Sequence, residues 1–379
     1  MKILLIGEYS RLHNSLKEGL IKFGHEVTIV GSGDGFKDYP VDIKINSKIS
    51  KYSSLRFISK VLIRTLRINI IKLENYYNFN SILPQLKNYD VVQLINESVL
   101  KSYSNLEIRF LKKLTKQNHK LFLLSCGTDY LSVKYANDKK LKYSNLTPYH
   151  ENDLKKEYKF VMQRLSPSHY KLHSFIFNIT NGVIASDIDY HMPLLNHPKY
   201  LNIIPNAINT DNITYSPLLI KDTIHIFHGI NSSNTIKKGG DIFEKALKII
   251  ANKYQDKVSI KTTYDIPYNE YIKIYNDAHI LMDQVYSYDQ GYNALEAMAK
   301  GKVVFTGAEQ EWLDYYSLKE DTIAINALPN VDYLVEKLEW LILNPEKIIE
   351  ISKNARAFIE KEHHYKNIAE QYLKTWKDA

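Results

Sequence analysis

The chain has 379 residues, of which 44% are hydrophobic and 24% charged, a balance that excludes a disordered or fibrous protein. At roughly 100–200 residues per domain, this length predicts two domains. The net charge of +8 favours an anionic partner, and the single cysteine, Cys126, excludes a disulfide framework and a multi-cysteine zinc site. Because no apolar run approaches the roughly 18 residues of a spanning helix and residues 1–7 are too short for a signal peptide, we expect a cytoplasmic protein.

The first thirty residues predict one βαβ unit. Lys2–Gly7 is a short apolar run typical of a buried parallel strand, and Leu16 and Leu20 then recur at helical spacing. Gly24 ends this helix, and Val27–Val30 forms the next strand. Further apolar runs, most of them separated by helical stretches, continue the pattern at Val91–Ile95, Leu121–Leu124, Val183–Ala185 and Leu201–Ile204.

A second α/β half follows the turn-rich segment Pro205–Asp211, which we interpret as an interdomain linker. The tail from Val331 to Trp376 is almost wholly helical. Two such halves predict two doubly wound parallel sheets that face a common cleft at the carboxyl ends of their strands. The second half contains predicted strands at Ile224–Phe227, Val258–Thr262, His279–Asp283 and Val303–Thr306, and predicted helices at Gly240–Tyr254, Asn269–Asp277 and Tyr292–Lys300.

Two segments of the second half are typical of phosphate binding. Gly291 opens a predicted helix, whose N-terminal amides and partial positive charge favour an anion, and Glu296 lies one turn inside it, where a ribose hydroxyl would reach it. In the other segment, His228-Gly229 ends a strand and Lys238-Gly239 opens the next helix. A lysine there meets a diphosphate as a point charge. A plain amphipathic helix and a solvated loop are the structural alternatives.

Both segments resemble the second domain of GT-B glycosyltransferases, specifically the large retaining family often numbered four. The family's "LEAMA-x-G-x-P-V" stretch corresponds to Leu295–Val304, its "G-H-E-V" to Gly24–Val27 and its "I-P-N-G-I-D" to Ile204–Asn209. The resemblance implies a GT-B fold with domains at 1–205 and 206–360 and a terminal helix, 361–379, that returns to the first domain. It implies a donor site made of His228, Gly229, Lys238, Gly239, Tyr288, Asp289, Gln290, Gly291, Tyr292, Asn293 and Glu296.

The chain departs from the family at two positions. Tyr288 stands where the family has the first of two glutamates, so we expect Tyr288, Asp289 and Gln290 to touch the sugar. The family's arginine is missing after Gly229, where Ile230 follows, and His228 or Lys237 are the residues that we expect to compensate.

In the first domain, two segments after predicted strands supply candidates. The loop after the first strand lacks G-x-G-x-x-G and holds Ser10, Arg11 and Asn14 on the expected acceptor side, and His13 as a candidate catalytic residue. Asp129 follows another strand and is a candidate general base. The structural alternative for these residues is a capped helix start.

No metal or other cofactor is expected. Asp187 and Asp189 mimic a metal-binding D-x-D, but GT-B enzymes generally hold the diphosphate without metal, so chance or helix capping is our interpretation. His363 and His364 are adjacent and point to different faces of a helix, which predicts a solvated face.

We therefore expect a retaining hexosyltransferase that moves a sugar from a nucleoside diphosphate, with UDP ahead of GDP, to a glycan or lipid-linked acceptor in cell-surface polysaccharide assembly. The alternatives are a GT-B sugar-nucleotide epimerase or phosphorylase, a non-catalytic GT-B-like scaffold and a nucleic-acid-binding protein. No nucleic-acid-binding motif is recognisable, so we expect no nucleic acid partner.

A basic segment predicts contact with an anionic membrane surface. Eight basic residues lie between Lys44 and Lys72, with Asp42 just outside, and on a helix Arg56, Lys60, Arg64 and Arg67 form one stripe. Leu55, Ile58, Leu62 and Leu66 form another stripe, while Phe57 and Val61 fall on a third side. The alternative is a core-packed helix with a solvated charged face. If the segment contacts the membrane in this way, we expect a cytoplasmic protein that is peripherally bound to the inner face of the membrane.

Overall fold

The computed structural model describes residues 1–34 and 38–379. Within these ranges no helix combines the length and the apolar character needed to cross a bilayer. The described chain contains two separate parallel sheets, one of seven strands and one of five, and helices alternate with the strands. This arrangement confirms the predicted class of two doubly wound α/β halves.

The first sheet has the strand order β3-β2-β1-β4-β5-β6-β7, and all its pairs are parallel. The order reverses between β1 and β4, which places a crevice at the carboxyl ends of these two strands. Its strands are β1 (Lys2–Ile6), β2 (Glu26–Gly31), β3 (Ile43–Lys44), β4 (Val91–Leu94), β5 (Lys120–Ser125), β6 (Gly182–Ala185) and β7 (Tyr200–Ile203).

The second sheet has the order β12-β11-β10-β8-β9 and is also parallel throughout. Its order reverses between β8 and β10, so the loops that follow these strands border the second crevice. Its strands are β8 (Ile224–Ile230), β9 (Val258–Tyr264), β10 (Ile280–Met282), β11 (Val303–Thr306) and β12 (Ile325–Asn326).

Ten α-helices are described before the predicted linker and eight after it. The first ten are α1 (Leu12–Lys22), α2 (Lys48–Lys51), α3 (Ser53–Thr65), α4 (Ile70–Ile82), α5 (Ser104–Lys116), α6 (Tyr130–Asn137), α7 (Thr147–Glu151), α8 (Lys159–Met162), α9 (Pro167–Ile179) and α10 (Ile188–Leu194). The others are α11 (Thr235–Lys238), α12 (Gly240–Lys253), α13 (Tyr268–Asp277), α14 (Tyr292–Ala299), α15 (Gln310–Tyr316), α16 (Val331–Leu343), α17 (Pro345–Glu362) and α18 (Tyr365–Asp378).

The predicted strands and helices are all present, with ends that differ by a few residues. The short edge strands β3 and β12 were not among the predicted elements, because two residues carry no periodic pattern. Gly24 follows Phe23, the C-cap of α1, and adopts a φ of 76°, as expected of a glycine that ends a helix. The boundary predicted at residue 205 falls between the last strand of the first sheet and the first strand of the second.

The last helix returns to the first half, as the resemblance implied. Gly19 on α1 lies against α18, since a side chain at Gly19 would stand 2.4 Å from the carbonyl oxygen of Tyr365. The ammonium of Lys120 donates to the carbonyl of Trp376 over 2.9 Å. His363 does not lie on a solvated face: it is buried, and its Nδ1 contacts the carbonyl of Asn206 in the predicted linker.

Candidate functional site in the cleft between the two sheets

A cavity of about 230 Å³ lies where the two halves meet. The first half lines it with the segments that follow β5 and β6, and the second half lines it with α11 and the loop after β10. This position at the carboxyl ends of parallel strands is where doubly wound folds bind ligands. The lining residues include Gly127, Thr128, Asp187, Asp189, Lys237, Gln284, Tyr286 and Gly291.

The start of α14 opens into this cavity. Gly291 is its N-cap, and a side chain added there would meet nothing nearer than the Gln284 amide at 3.8 Å. Glu296 is half-buried one turn further along, and its negative charge acts on Arg11 of the first half. The side chains between them point to protein partners: the Tyr292 hydroxyl lies 2.8 Å from Ser15 Oγ, and Asn293 accepts a hydrogen bond from the Tyr271 hydroxyl.

Two adjacent lysines occupy different environments. Lys238 pairs with Asp283 over 2.8 Å, and that buried carboxylate also accepts a hydrogen bond from Thr306. Lys237 lines the cavity, its ammonium lies 5.6 Å from the ring centroid of Tyr158, and burial lowers the pKa of Lys237. Within the described chain no carboxylate pairs with Lys237. Among the residues described, the cation that lines the cavity is therefore Lys237, whereas the sequence had favoured Lys238 as the phosphate-binding lysine.

Three other residues that were predicted to bind the donor are His228, Gly229 and Gly239, which lie near the two lysines in the sequence. Burial lowers the pKa of His228 to about 4, so its imidazole is neutral, and its buried Nδ1 has no partner in the described structure. Gly229 leaves no room for a side chain, because a Cβ there would stand 2.5 Å from the Tyr271 ring. Gly239 joins α11 to α12 with a φ of 69°, a conformation that favours glycine.

The side chains predicted to touch the sugar are engaged with protein groups. Tyr288 is buried, and its hydroxyl accepts a hydrogen bond from the Lys142 backbone. The Asp289 carboxyl accepts from the backbone N–H groups of Ile188 and Gln290, and burial raises its pKa to about 7. The Gln290 amide donates to Gly307 over 2.7 Å. These three side chains brace the loop between the halves, and Asp289 and Gln290 also line the cavity, so their contact with the sugar stays a prediction.

Asp189 joins the two halves directly. Its carboxylate accepts hydrogen bonds from Ser287 Oγ at 2.7 Å and from the backbone N–H groups of Tyr288 and Asp289. This role of Asp189 was not among the predicted ones; the signal in the sequence is the position of Asp189 just after β6, at the edge that faces the cleft.

Asp187 lines the same cavity. It stands at the N-cap position of α10, and its Oδ2 accepts a hydrogen bond from the Ser186 hydroxyl over 2.8 Å. Burial raises its pKa well above the ordinary range, and its Oδ1 has no partner in the described structure. Among the residues described, no group of three acidic, histidine or cysteine side chains has the arrangement of a metal site.

The loop after β1 uses its polar side chains internally. Ser10 and Arg11 both adopt left-handed φ values, and Arg11 pairs with Glu18 over 2.6 Å. Asn14 donates from its side chain and its backbone to one oxygen of the buried Glu8. Burial raises the pKa of Glu8 to about 7.

Neither predicted catalytic residue faces the cavity. His13 is fully buried, its Nδ1 lies 2.8 Å from the Gly7 carbonyl, and burial lowers its pKa to about 4. Asp129 caps α6 in a reciprocal arrangement with Ser132 and also accepts from the Ser125 hydroxyl. The structural alternative therefore holds for Asp129, and His13 is a core residue.

The part of the chain that matches a known family lies in the second half. Residues 234–374, which contain both lysines and α14, match the sequence profile of a family described as glycosyl transferase-like. No curated protein sequence matches the chain.

Solved structures are similar over the whole chain. Sucrose-phosphate synthase from Thermosynechococcus elongatus has a TM-score of 0.59 at 12% identity, covering 100% of this chain and 98% of the other. Anabaena HepE in complex with UDP and glucose has a TM-score of 0.59 at 13% identity, covering 100% of both chains. UDP-GlcNAc 2-epimerase from Neisseria meningitidis, bound to UDP-GlcNAc, has a TM-score of 0.54 at 11% identity, also covering 100% of both. At these identities the likeness shows a shared GT-B fold.

Proposed function

We propose that this chain, a GT-B protein whose residues 234–374 form a glycosyl transferase-like domain, transfers a sugar from a nucleoside diphosphate to an acceptor hydroxyl. The observation that carries the proposal is that Lys237 and the glycine-led start of α14 line one cavity between the two sheets. Cations and helix N-terminal amides are groups that bind phosphates in proteins. UDP is the nucleotide that we assign, because Anabaena HepE of the same fold has been crystallised with it.

In this proposal the diphosphate lies between Lys237 and the backbone amides that follow Gly291. When the bond from the sugar C1 to the diphosphate breaks, negative charge grows on the leaving oxygen, and these fixed groups stabilise it. The acceptor oxygen forms the new bond to C1, and the proton of the acceptor hydroxyl leaves with the diphosphate. Lys238 lies next to Lys237 and contributes once it exchanges Asp283 for the phosphate. Glu296, one turn inside α14, accepts hydrogen bonds from the ribose hydroxyls.

The acceptor enters from the first half, where Gly127, Thr128 and Asp187 line the cavity. Asp187 is the group that we assign to a hydroxyl of the sugar or acceptor, because its Oδ1 lacks a protein partner. Ser10, Arg11 and Asn14 then shape the acceptor side without touching the reacting atoms. We propose that the reaction retains the anomeric configuration, needs no metal and serves glycan assembly.

The test is a screen of UDP- and GDP-sugars with nucleotide release as the readout, followed by NMR of the anomeric proton in the product. We expect UDP release that an acceptor accelerates, and a product with the anomeric configuration of the donor. Epimerised donor without transfer would instead assign the chain to the epimerase alternative. No turnover and no binding of any sugar nucleotide would contradict the proposal.

A further inference from the structure

The segment Tyr52–Ile68 exposes an unusual amount of apolar surface. Only Ser59 of α3 is buried, so the alternative of a core-packed helix does not hold. Soluble proteins rarely leave such contiguous apolar patches in water without a partner. Seven large side chains in this segment are more than 40% exposed: Tyr52, Phe57, Ile58, Val61, Ile63, Leu66 and Ile68.

Basic side chains are interleaved with this apolar surface. Arg56, Lys60, Arg64 and Arg67 are all exposed, and in the described part of the chain none of them forms an ion pair with a carboxylate. No acidic residue occurs anywhere within the segment. The patch therefore presents unpaired positive charge and apolar side chains on one short helix and its flanks.

We propose that Tyr52–Ile68 docks the protein onto the surface of an anionic phospholipid bilayer. The apolar side chains enter the boundary between headgroups and acyl chains, and the basic side chains meet lipid phosphates. A second copy of the chain is a poorer occupant, because two such patches would bring like charges together. A nucleic acid would use the charges and leave the apolar side chains in water.

The segment that precedes the patch is tied to helix α4, which borders the loop after β1. Glu74 on α4 accepts hydrogen bonds from the backbone of Lys48 and from Ser47, which holds the start of α2 just before the patch. Asn75 and Phe79, further along α4, line a recess beside the loop after β1. When the patch is docked, this recess therefore lies near the bilayer. An acceptor carried by a lipid suits that arrangement, and this inference about the acceptor alone rests on the proposed function.

The experiment is sedimentation of the full chain with phosphatidylcholine vesicles that contain or lack phosphatidylglycerol. We expect binding to the anionic vesicles only, weakened by salt. Replacing Arg56, Lys60, Arg64 and Arg67 with glutamine should reduce partitioning by roughly a hundredfold or more. A matched variant with Lys248, Lys257, Lys261 and Lys319 changed to glutamine, all exposed on the second domain, should bind as the unmodified protein does.

A second pair of variants tests the apolar contribution. Phe57→Ser, Val61→Ser and Leu66→Ser together should weaken vesicle binding about tenfold or more at constant charge. The control combines Ile249→Ser, Leu343→Ser and Ile349→Ser, three exposed apolar residues elsewhere, and should leave binding unchanged.

No sedimentation with anionic vesicles at low salt would overturn the proposal. So would equal losses in patch and control variants, binding to RNA without binding to vesicles, or dimerisation through the patch in analytical ultracentrifugation. UDP titration on the same variants in the absence of lipid separates this outcome from a failure of the proposed function, because these residues lie outside the cavity.

Discussion

The two walls of the cleft differ in how they supply functional groups. The second-domain wall offers the cavity a lysine side chain and the backbone amides at the start of a helix, and both are features of a short stretch of sequence. In the first domain, the titratable side chains predicted to act do not line the cavity: Asp129 caps α6, and His13 lies in the core. A short stretch of sequence shows where a helix begins and where a glycine stands. It does not show which carboxylate already accepts a hydrogen bond from a residue far away along the chain.

The largest expected effect comes from the two lysines of the second wall. Lys237→Ala and Lys238→Ala should each weaken UDP binding roughly ten- to hundredfold, because each removes a charge-assisted contact to phosphate. Only Lys238→Ala should also lower the melting temperature, because it leaves Asp283 buried without its cation. Titration calorimetry and thermal unfolding measure the two effects, with Lys245→Ala as the control on the outer face of α12.

Equal melting temperatures for the two lysine variants would contradict the different environments described for them. Unchanged UDP affinity in both would remove the second wall from the nucleotide site.

Glu296→Gln tests the ribose contact on the same wall. A hydroxyl donates more strongly to a carboxylate than to an amide, so we expect about a tenfold loss of UDP affinity or turnover. Glu270→Gln, at an exposed position of α13, is the matched control and should behave as the unmodified protein. Normal kinetics of Glu296→Gln with every donor would make Glu296 a structural residue of the helix.

In the first domain, Glu8 should leave a signature in the pH dependence of stability. Burial raises the pKa of Glu8 from 4.5 to about 7, so the folded state holds the neutral form over that interval and the unfolded state does not. Its contribution to the free energy of unfolding therefore falls as pH rises through this window. We expect denaturant unfolding at about pH 5 and about pH 8 to show a smaller decline for Glu8→Gln than for the unmodified protein. Parallel pH profiles for the two proteins would contradict the burial of an ionisable Glu8.

Asp129→Asn separates capping from catalysis. Asparagine caps a helix about as well as aspartate, so turnover should stay within about threefold of the unmodified protein. A lost general base would instead reduce turnover by roughly 10²–10⁴. Steady-state kinetics of the folded variant measures the difference. A loss of turnover of the larger size would show that Asp129 acts as the general base.

The smallest expected effect is that of a chelator. We predict that activity persists in EDTA, since the proposed diphosphate site uses lysine and helix amides. Complete loss of activity with rescue by magnesium or manganese would instead assign a metal to the cavity, with Asp187 and Asp189 as the first carboxylates to examine.

The fold was largely predictable because it depends on local patterns. Buried strands such as Val303–Thr306 are continuous apolar runs, and Gly24 ends a helix through its own φ. The start of α14 was predictable for the same reason. The roles of Tyr288, Asp289 and Asp189 were not, because their partners lie about a hundred or more residues away along the chain.

The exposed face of α3 is a second feature that the sequence predicted only in part. Its stripes were visible in the sequence, yet Ile58 and Leu66 of the predicted apolar stripe are exposed, while Leu55 and Leu62 are partly buried. Periodicity identifies the faces of a helix, but the neighbouring elements decide which face is covered.

A crystal structure of the protein with UDP tests the central account most directly. We predict the diphosphate beside Lys237 at the start of α14, with the ribose hydroxyls on Glu296 and the three side chains of Tyr288, Asp289 and Gln290 still bonded to their protein partners. UDP bound outside the cleft, or a diphosphate that touches neither Lys237 nor the amides after Gly291, would contradict it.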